Sequence, residues 1–241
     1  MVPAAARFGP HTRLLLAWAV HLFTASGAFF GAIALISISA GELSTAALLM
    51  IVALVIDAVD GTLARAVGVG EVLPTIDGRR LDDIVDYLNY VIVPTVFLIN
   101  AGLLPGWGWA ALPILSSAYG FSQNDAKTED DFFLGWPSYW NVLALYLWML
   151  DFSPTAGAIW VAALAVAVFV PFKYVYPSKV PQPVFRLTLN WGGFVWAGTL
   201  VVAILAPDLA ADLLLVELSL GYVIYYVVLS MWLGDWRSTW A

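Results

Sequence analysis

Residues 57–86 read DAVDGTLARAVGVGEVLPTIDGRRLDDIVD, a polar island between two long apolar tracts that holds seven of the chain's 17 acidic residues. Asp57 and Asp60 stand three positions apart at the end of one apolar run, and Asp82 and Asp86 stand four apart at the start of the next. Residues at i, i+3 or i+4 share a helix face, so each pair points at a common spot. Two helices packed side by side would bring four carboxylates together near a membrane surface. Like charges at close range repel and buried charges are costly, so such a cluster needs a counter-charge. A hard divalent cation held through carboxylate oxygens, Mg²⁺ or Mn²⁺, is the natural one.

The rest of the composition fits that setting. The 241 residues are 62% hydrophobic and 11% charged, with a mean hydropathy of +0.87, whereas soluble domains carry about 25% charged residues. This predicts an integral membrane protein. Cysteine is absent, which excludes disulfides and thiolate metal sites. The net charge of −7 argues against nucleic-acid binding, which wants a basic face. Arg7 and Arg13 precede an apolar run, as in a signal peptide, but the run continues to about Ser39 and reads as a retained first span.

Apolar runs near 14–38, 43–64, 82–101, 106–122, 138–151, 154–172, 190–206 and 211–233 predict a bundle of about eight transmembrane helices. Gly102, Pro105, Gly106, Pro154, Pro207 and the group Pro177, Pro181 and Pro183 punctuate the gaps. With eight spans, all ten basic residues fall on one side, and the opposite loops hold only Glu42, Asp151, Asp208 and Asp212. The positive-inside rule then puts both termini and the acidic stretch in the cytoplasm. The expectation is an all-α membrane protein forming a single membrane-embedded domain over residues 1–241.

The pattern Asp57-x-x-Asp60-Gly61-x-x-Ala64-Arg65, then twelve residues, then Gly78-x-x-x-Asp82-x-x-x-Asp86 resembles the signature of the CDP-alcohol phosphotransferase family at all eight positions. The twelve-residue spacer is longer than most of that family has, and it resembles the bacterial phosphatidylcholine synthases. AYGFSQNDAKTEDDFFLGWPSYWN (118–141) and PFKYVYPSKVP (171–181) look similar to that branch as well. The resemblance implies transfer of a phosphatidyl group from CDP-diacylglycerol to choline, releasing CMP, in a bacterial inner membrane with the site facing the cytoplasm. It also implies a homodimer, tilts the metal towards Mn²⁺, and assigns Asp57, Asp60 and Asp82 to metal with Asp86 as general base and metal ligand. Serine, glycerol phosphate or an inositol phosphate are the rival acceptors. A cation transporter is a remote rival, since its carboxylates would line the membrane midplane.

The residue types suit this chemistry without the family. Displacing one ester from a pyrophosphate needs neutralised phosphoryl oxygens and a positioned nucleophile. Gly61 and Ala64 leave room for a nucleotide against the helix, Gly78 belongs to the same signature, and Arg65 can neutralise a phosphate. Asp77 and Asp83 are read as bystanders. A quaternary ammonium is held by aromatic rings, and Trp136, Tyr139 and Trp140 are candidates for choline, although twelve tryptophans also suit an interfacial belt. His21, an ionisable group in the first span, is a further candidate, whereas Glu217 is expected to be structural. Asn124, Asp125 and Lys127 are candidates for cytosine or ribose. Lys173, Lys179 and Arg186 are candidates for the lipid pyrophosphate, unless they only set topology.

Overall fold

The structure is a computed structural model that describes residues 9–123, 126–128 and 130–234. Asn124 and Asp125, and the topology-setting Arg7 and Arg237, lie outside the described residues. The helices are α1 (Pro10–Ser39), α2 (Leu43–Val67), α3 (Val69–Val72), α4 (Gly78–Asp86), α5 (Val93–Asn100), α6 (Ala111–Ser122), α7 (Trp140–Met149), α8 (Pro154–Ala167), α9 (Pro183–Leu205), α10 (Pro207–Asp212) and α11 (Leu215–Leu233). Four of them, α1, α2, α9 and α11, are long and apolar enough to cross a membrane, and α7 and α8 are shorter apolar helices. On α1, Leu15, Leu22, Phe29 and Ile36 recur every seven residues and are 70, 72, 62 and 63% exposed. A bare apolar stripe of that length would be a liability in water and is what a lipid-facing helix presents. The chain is an all-α multi-pass membrane protein.

Local chemistry explains the helix limits near the acidic stretch. Gly68 ends α2 in the left-handed conformation (φ 71°), and its amide donates to the Ala64 carbonyl. Asp77 caps α4, its Oδ1 accepting from the Arg80 amide at 3.1 Å. One of the two expected bystanders thus fixes where the signature helix begins. Past Asp86 the helix continues through a π-helical turn, Tyr87–Ile92, into α5. Pro94 supplies the reason: it lacks the amide that would bond the Tyr90 carbonyl, and its ring would crowd that oxygen in a regular helix.

Two boundaries differ from the sequence expectation. The seventh helix starts at Pro183 rather than near residue 190, because proline is tolerated in the first helical turn and opens α9 instead of punctuating a gap. The sixth ends at Ala167, and the residues assigned to its tail lead up to a two-stranded antiparallel ribbon. In that ribbon β1 (Phe132–Leu134) pairs with β2 (Lys173–Val175), with Phe133 opposite Tyr174. The main core joins α1, α2, α5, α7, α8 and α9 through Ala34, Met50, Phe97, Leu145, Val161 and Leu200.

Candidate active site

Helices α2 and α4 bring three of the four expected carboxylates together. One carboxylate oxygen from each of Asp57, Asp82 and Asp86 lies within 4.8 Å of the other two. The donors are all oxygen, the preference of a hard divalent cation, and the residues fit such an ion. Asp60 stands apart from this trio. It is 5% exposed and lines a recess with Thr24 of α1, Asn89 and Tyr90, a recess that Asp57 and Asp86 also border.

The signature residues divide between two faces. Asp57, Gly61, Asp82 and Asp86 line a cavity of about 770 Å³. A Cβ at Gly61 would come within 3.3 Å of the Arg65 guanidinium and 3.9 Å of the Tyr176 hydroxyl, so the glycine keeps that wall open. Ala64, expected on the same face, packs instead with Ala17, Val20 and Val67 against α1. Asp60 and Ala64 are four residues apart and share the α1 side, as Asp57 and Gly61 share the cavity side. Gly78 also belongs to the α1 side: a Cβ there would lie 3.2 Å from the His21 ring.

Close approach of α1 to α4 rests on two glycines. A Cβ at Gly27 would meet the Val85 side chain at 2.8 Å, and one at Gly31 would overlap the Asn89 amide. Buried Asn89 donates to the Gly27 carbonyl at 3.0 Å and to the Val85 carbonyl at 3.1 Å, tying the helix that carries Asp86 to α1. Small residues allow this approach where lipid gives no hydrophobic drive between helices.

Two side chains flank the carboxylates. On one side the Tyr90 hydroxyl donates to Asp57 Oδ2 at 2.6 Å. On the other, the Lys127 ammonium lies 3.6 Å from Asp82 and 3.7 Å from Asp83. Burial works against the lysine charge, but the surrounding acids, Asp82 foremost, hold its pKa above the ordinary lysine value. Arg65 bonds Thr62 at 3.1 Å and Ser178 at 3.4 Å on the rim.

The remaining candidates separate clearly. Trp136 and Tyr139 line the cavity. Trp140 does not: it is fully buried, with its indole N–H donated to Ser117 Oγ at 2.7 Å, and it serves as a core residue. His21 faces Gly78 away from the cavity lining, with Nε2 buried and without a partner among the described residues. The cations among the described lining residues are Arg79 and Lys127. Lys173 is paired with Asp130 at 2.8 Å, Lys179 is paired with Asp131, and Arg186 is exposed on α9 outside the lining. Glu217 sits exposed in the first turn of α11, where the helix dipole favours an acid. Sequence reasoning missed Tyr90, although its place four residues after Asp86 was a usable signal.

A sequence model of the family described as CDP-alcohol phosphatidyltransferase matches residues 14–172. The phosphatidylcholine synthase of Legionella pneumophila is 41% identical over 226 residues, covering 90% of this chain and 88% of that protein. That of Legionella bozemanae is 40% identical, covering 85% of this chain and 98% of that protein. That of Pseudomonas aeruginosa is 34% identical, covering 90% and 91% respectively. The carboxylates of α2 and α4 fall inside the matched segment, and the chain belongs to the CDP-alcohol phosphatidyltransferase family.

Proposed function

We propose that this enzyme transfers the phosphatidyl group of CDP-diacylglycerol to choline, giving phosphatidylcholine and CMP. The observation that carries the reading is the meeting of Asp57, Asp82 and Asp86 at the wall of a large cavity with polar and apolar linings. The similarity to phosphatidylcholine synthases along most of the chain supports choline as the acceptor.

Asp57, Asp60, Asp82 and Asp86 would hold divalent metal, Mn²⁺ or Mg²⁺. Bound there, the metal neutralises charge on the pyrophosphate oxygens. Asp86 accepts the choline hydroxyl proton, and the freed oxygen attacks the lipid-bearing phosphorus while the bond to CMP breaks. Lys127 in the lining and Arg65 on the rim supply positive charge for the phosphates. Gly61 leaves room for the nucleotide at the cavity wall, and Gly78 lets His21 of α1 pack against the start of α4.

The same reading places eight spans as a single domain over residues 1–241 in a bacterial inner membrane. Both termini and the carboxylates face the cytoplasm, where choline and CMP exchange, and the enzyme acts as a homodimer. Support for the orientation comes from the one-sided distribution of the basic residues.

The deciding assay supplies purified protein with CDP-diacylglycerol and labelled choline. Labelled lipid and CMP are expected, with loss on chelation and recovery on adding Mn²⁺ or Mg²⁺. Labelled lipid from serine but not from choline would sink the acceptor assignment.

A further inference from the structure

Three tyrosines form a row along the cavity wall, leading away from the carboxylates. Tyr90 is hydrogen-bonded to Asp57; its ring centroid lies 5.8 Å from that of Tyr139, which lies 5.9 Å from that of Tyr226. All three line the cavity, and they come from three separate parts of the chain: the π-turn after α4, the residue preceding α7, and α11. Two of the hydroxyls are committed. Tyr90 donates to Asp57, and Tyr226 donates to the Val175 carbonyl at 3.0 Å.

The charges of the cavity are arranged unevenly about the cluster. Lys127 stands against Asp82 and Asp83, while the Asp57 side carries Tyr90. The lysine side suits a pyrophosphate and repels an ammonium. The tyrosine side presents ring surface, which attracts a cation through the negative face of the ring and needs no N–H from it. Choline separates its hydroxyl from its nitrogen by two carbons. With the hydroxyl at Asp86, the nitrogen must sit beside the carboxylates, and Tyr90, four residues on, is the aromatic residue joined to them. Trp136 also lines the cavity but stands outside this row, packed edge-to-face at 4.5 Å on the buried Trp140.

We propose that Tyr90, Tyr139 and Tyr226 form the subsite for the trimethylammonium group of choline. This proposal rests on the reaction assigned above. It moves the acceptor site away from His21 and Trp140 and keeps only Tyr139 of the earlier candidates at its centre. Ring faces attract a cation without accepting a hydrogen bond from it, so the subsite serves a fully methylated ammonium, which has no N–H to donate.

The experiment compares Tyr139→Leu with Tyr139→Phe, and Tyr226→Leu with Tyr226→Phe, measuring KM for choline and for CDP-diacylglycerol separately. Each leucine variant is expected to raise the choline KM roughly tenfold, with the CDP-diacylglycerol KM unchanged and the phenylalanine variants close to the parent. Wild-type protein is also inhibited with 3,3-dimethylbutan-1-ol, the uncharged carbon isostere of choline, against choline itself. It is expected to bind at least roughly tenfold more weakly than choline. This measurement holds even if a leucine variant does not fold. Unchanged choline KM in both leucine variants, equal losses in the leucine and phenylalanine variants, or equal affinity for the isostere would each overturn the proposal. If wild-type protein makes no lipid from choline, the reaction itself is misassigned, and the two failures are distinguishable.

Discussion

The two walls that meet at the carboxylates are held by opposite kinds of contact. On the helical wall, Asn89 bonds two backbone carbonyls while Gly27 and Gly31 bring α1 against α4, and Asn89 is 4% exposed. On the ribbon wall, β1 and β2 are only three residues each, and the ion pairs that tie them join Lys173 to Asp130 and Lys179 to Asp131, whose acid side chains are 52% and 47% exposed. Exposed pairs contribute about 0–1 kcal/mol, whereas a polar group stranded in a packed interior costs about 1–3 kcal/mol. The reacting groups therefore sit on the buried wall, and Lys127, which faces them, lies beside β1, while β2 is anchored to α11 by the Val175 amide, which donates to Ser230 Oγ at 3.1 Å. Under the proposed reaction that division suits a site that must keep its carboxylates in register and still let substrates pass.

The sharpest way to break the comparison is at its centre. Asp86→Asn is expected to lower phosphatidyl transfer by roughly 10²–10⁴-fold, the usual contribution of a general base, measured as label transferred from choline. Full activity in this variant would remove Asp86 from the role. On the opposite wall, Lys127→Ala is expected to raise the CDP-diacylglycerol KM about tenfold or more, as loss of a charge-assisted contact does, with the choline KM held. Gly31→Ala tests the buried wall itself. The new methyl would force Asn89 from its two carbonyls, and a destabilisation of about 1–3 kcal/mol is expected in thermal unfolding in detergent.

The smallest effect belongs to the ribbon. Hydrogen bonding to Lys173 holds the Asp130 carboxyl below its ordinary value. A depressed folded value means stabilisation that is present above the unfolded pKa and lost as pH falls through the folded one. The pair is thus fully formed from about pH 5 to pH 8. Asp130→Asn should speed proteolysis near residues 126–139 only slightly, by less than about 1 kcal/mol in opening free energy, and equally across that range. A strong pH dependence there in the parent protein would mean that another group controls the wall.

The features legible in sequence were those carried by long periodicity or by fixed spacing. Apolar runs revealed the helices, and the intervals 57–60 and 82–86 marked the acid cluster, of which Asp57, Asp82 and Asp86 meet while Asp60 turns into the recess beside α1. The ribbon escaped because Phe132–Leu134 and Lys173–Val175 are too short to show a period of two, and they lie about forty residues apart. Ala64 was put on the wrong face because spacing says which residues share a stripe but not which neighbour the stripe meets. Trp140 looked like a cage wall for a similar reason: its Ser117 partner comes from a different helix. The Tyr row needed three distant segments to meet, which no local pattern announces.

The π-helical turn at Tyr87–Ile92 has a consequence for chain length. Each residue of an α-helix turns the chain by about 100°, so the wide turn acts as one extra residue held inside an otherwise regular span. Removing a single residue between Tyr87 and Ile92 would restore a regular helix and leave the residues beyond it on their present faces relative to Asp82 and Asp86. The side chains within the turn would be redistributed, Tyr90 against Asp57 among them, while Phe97 and Leu98 would keep their core face. A one-residue deletion here is thus a local change at the carboxylates, whereas the same deletion within the regular turns of α5 would rotate the rest of the span by about 100°.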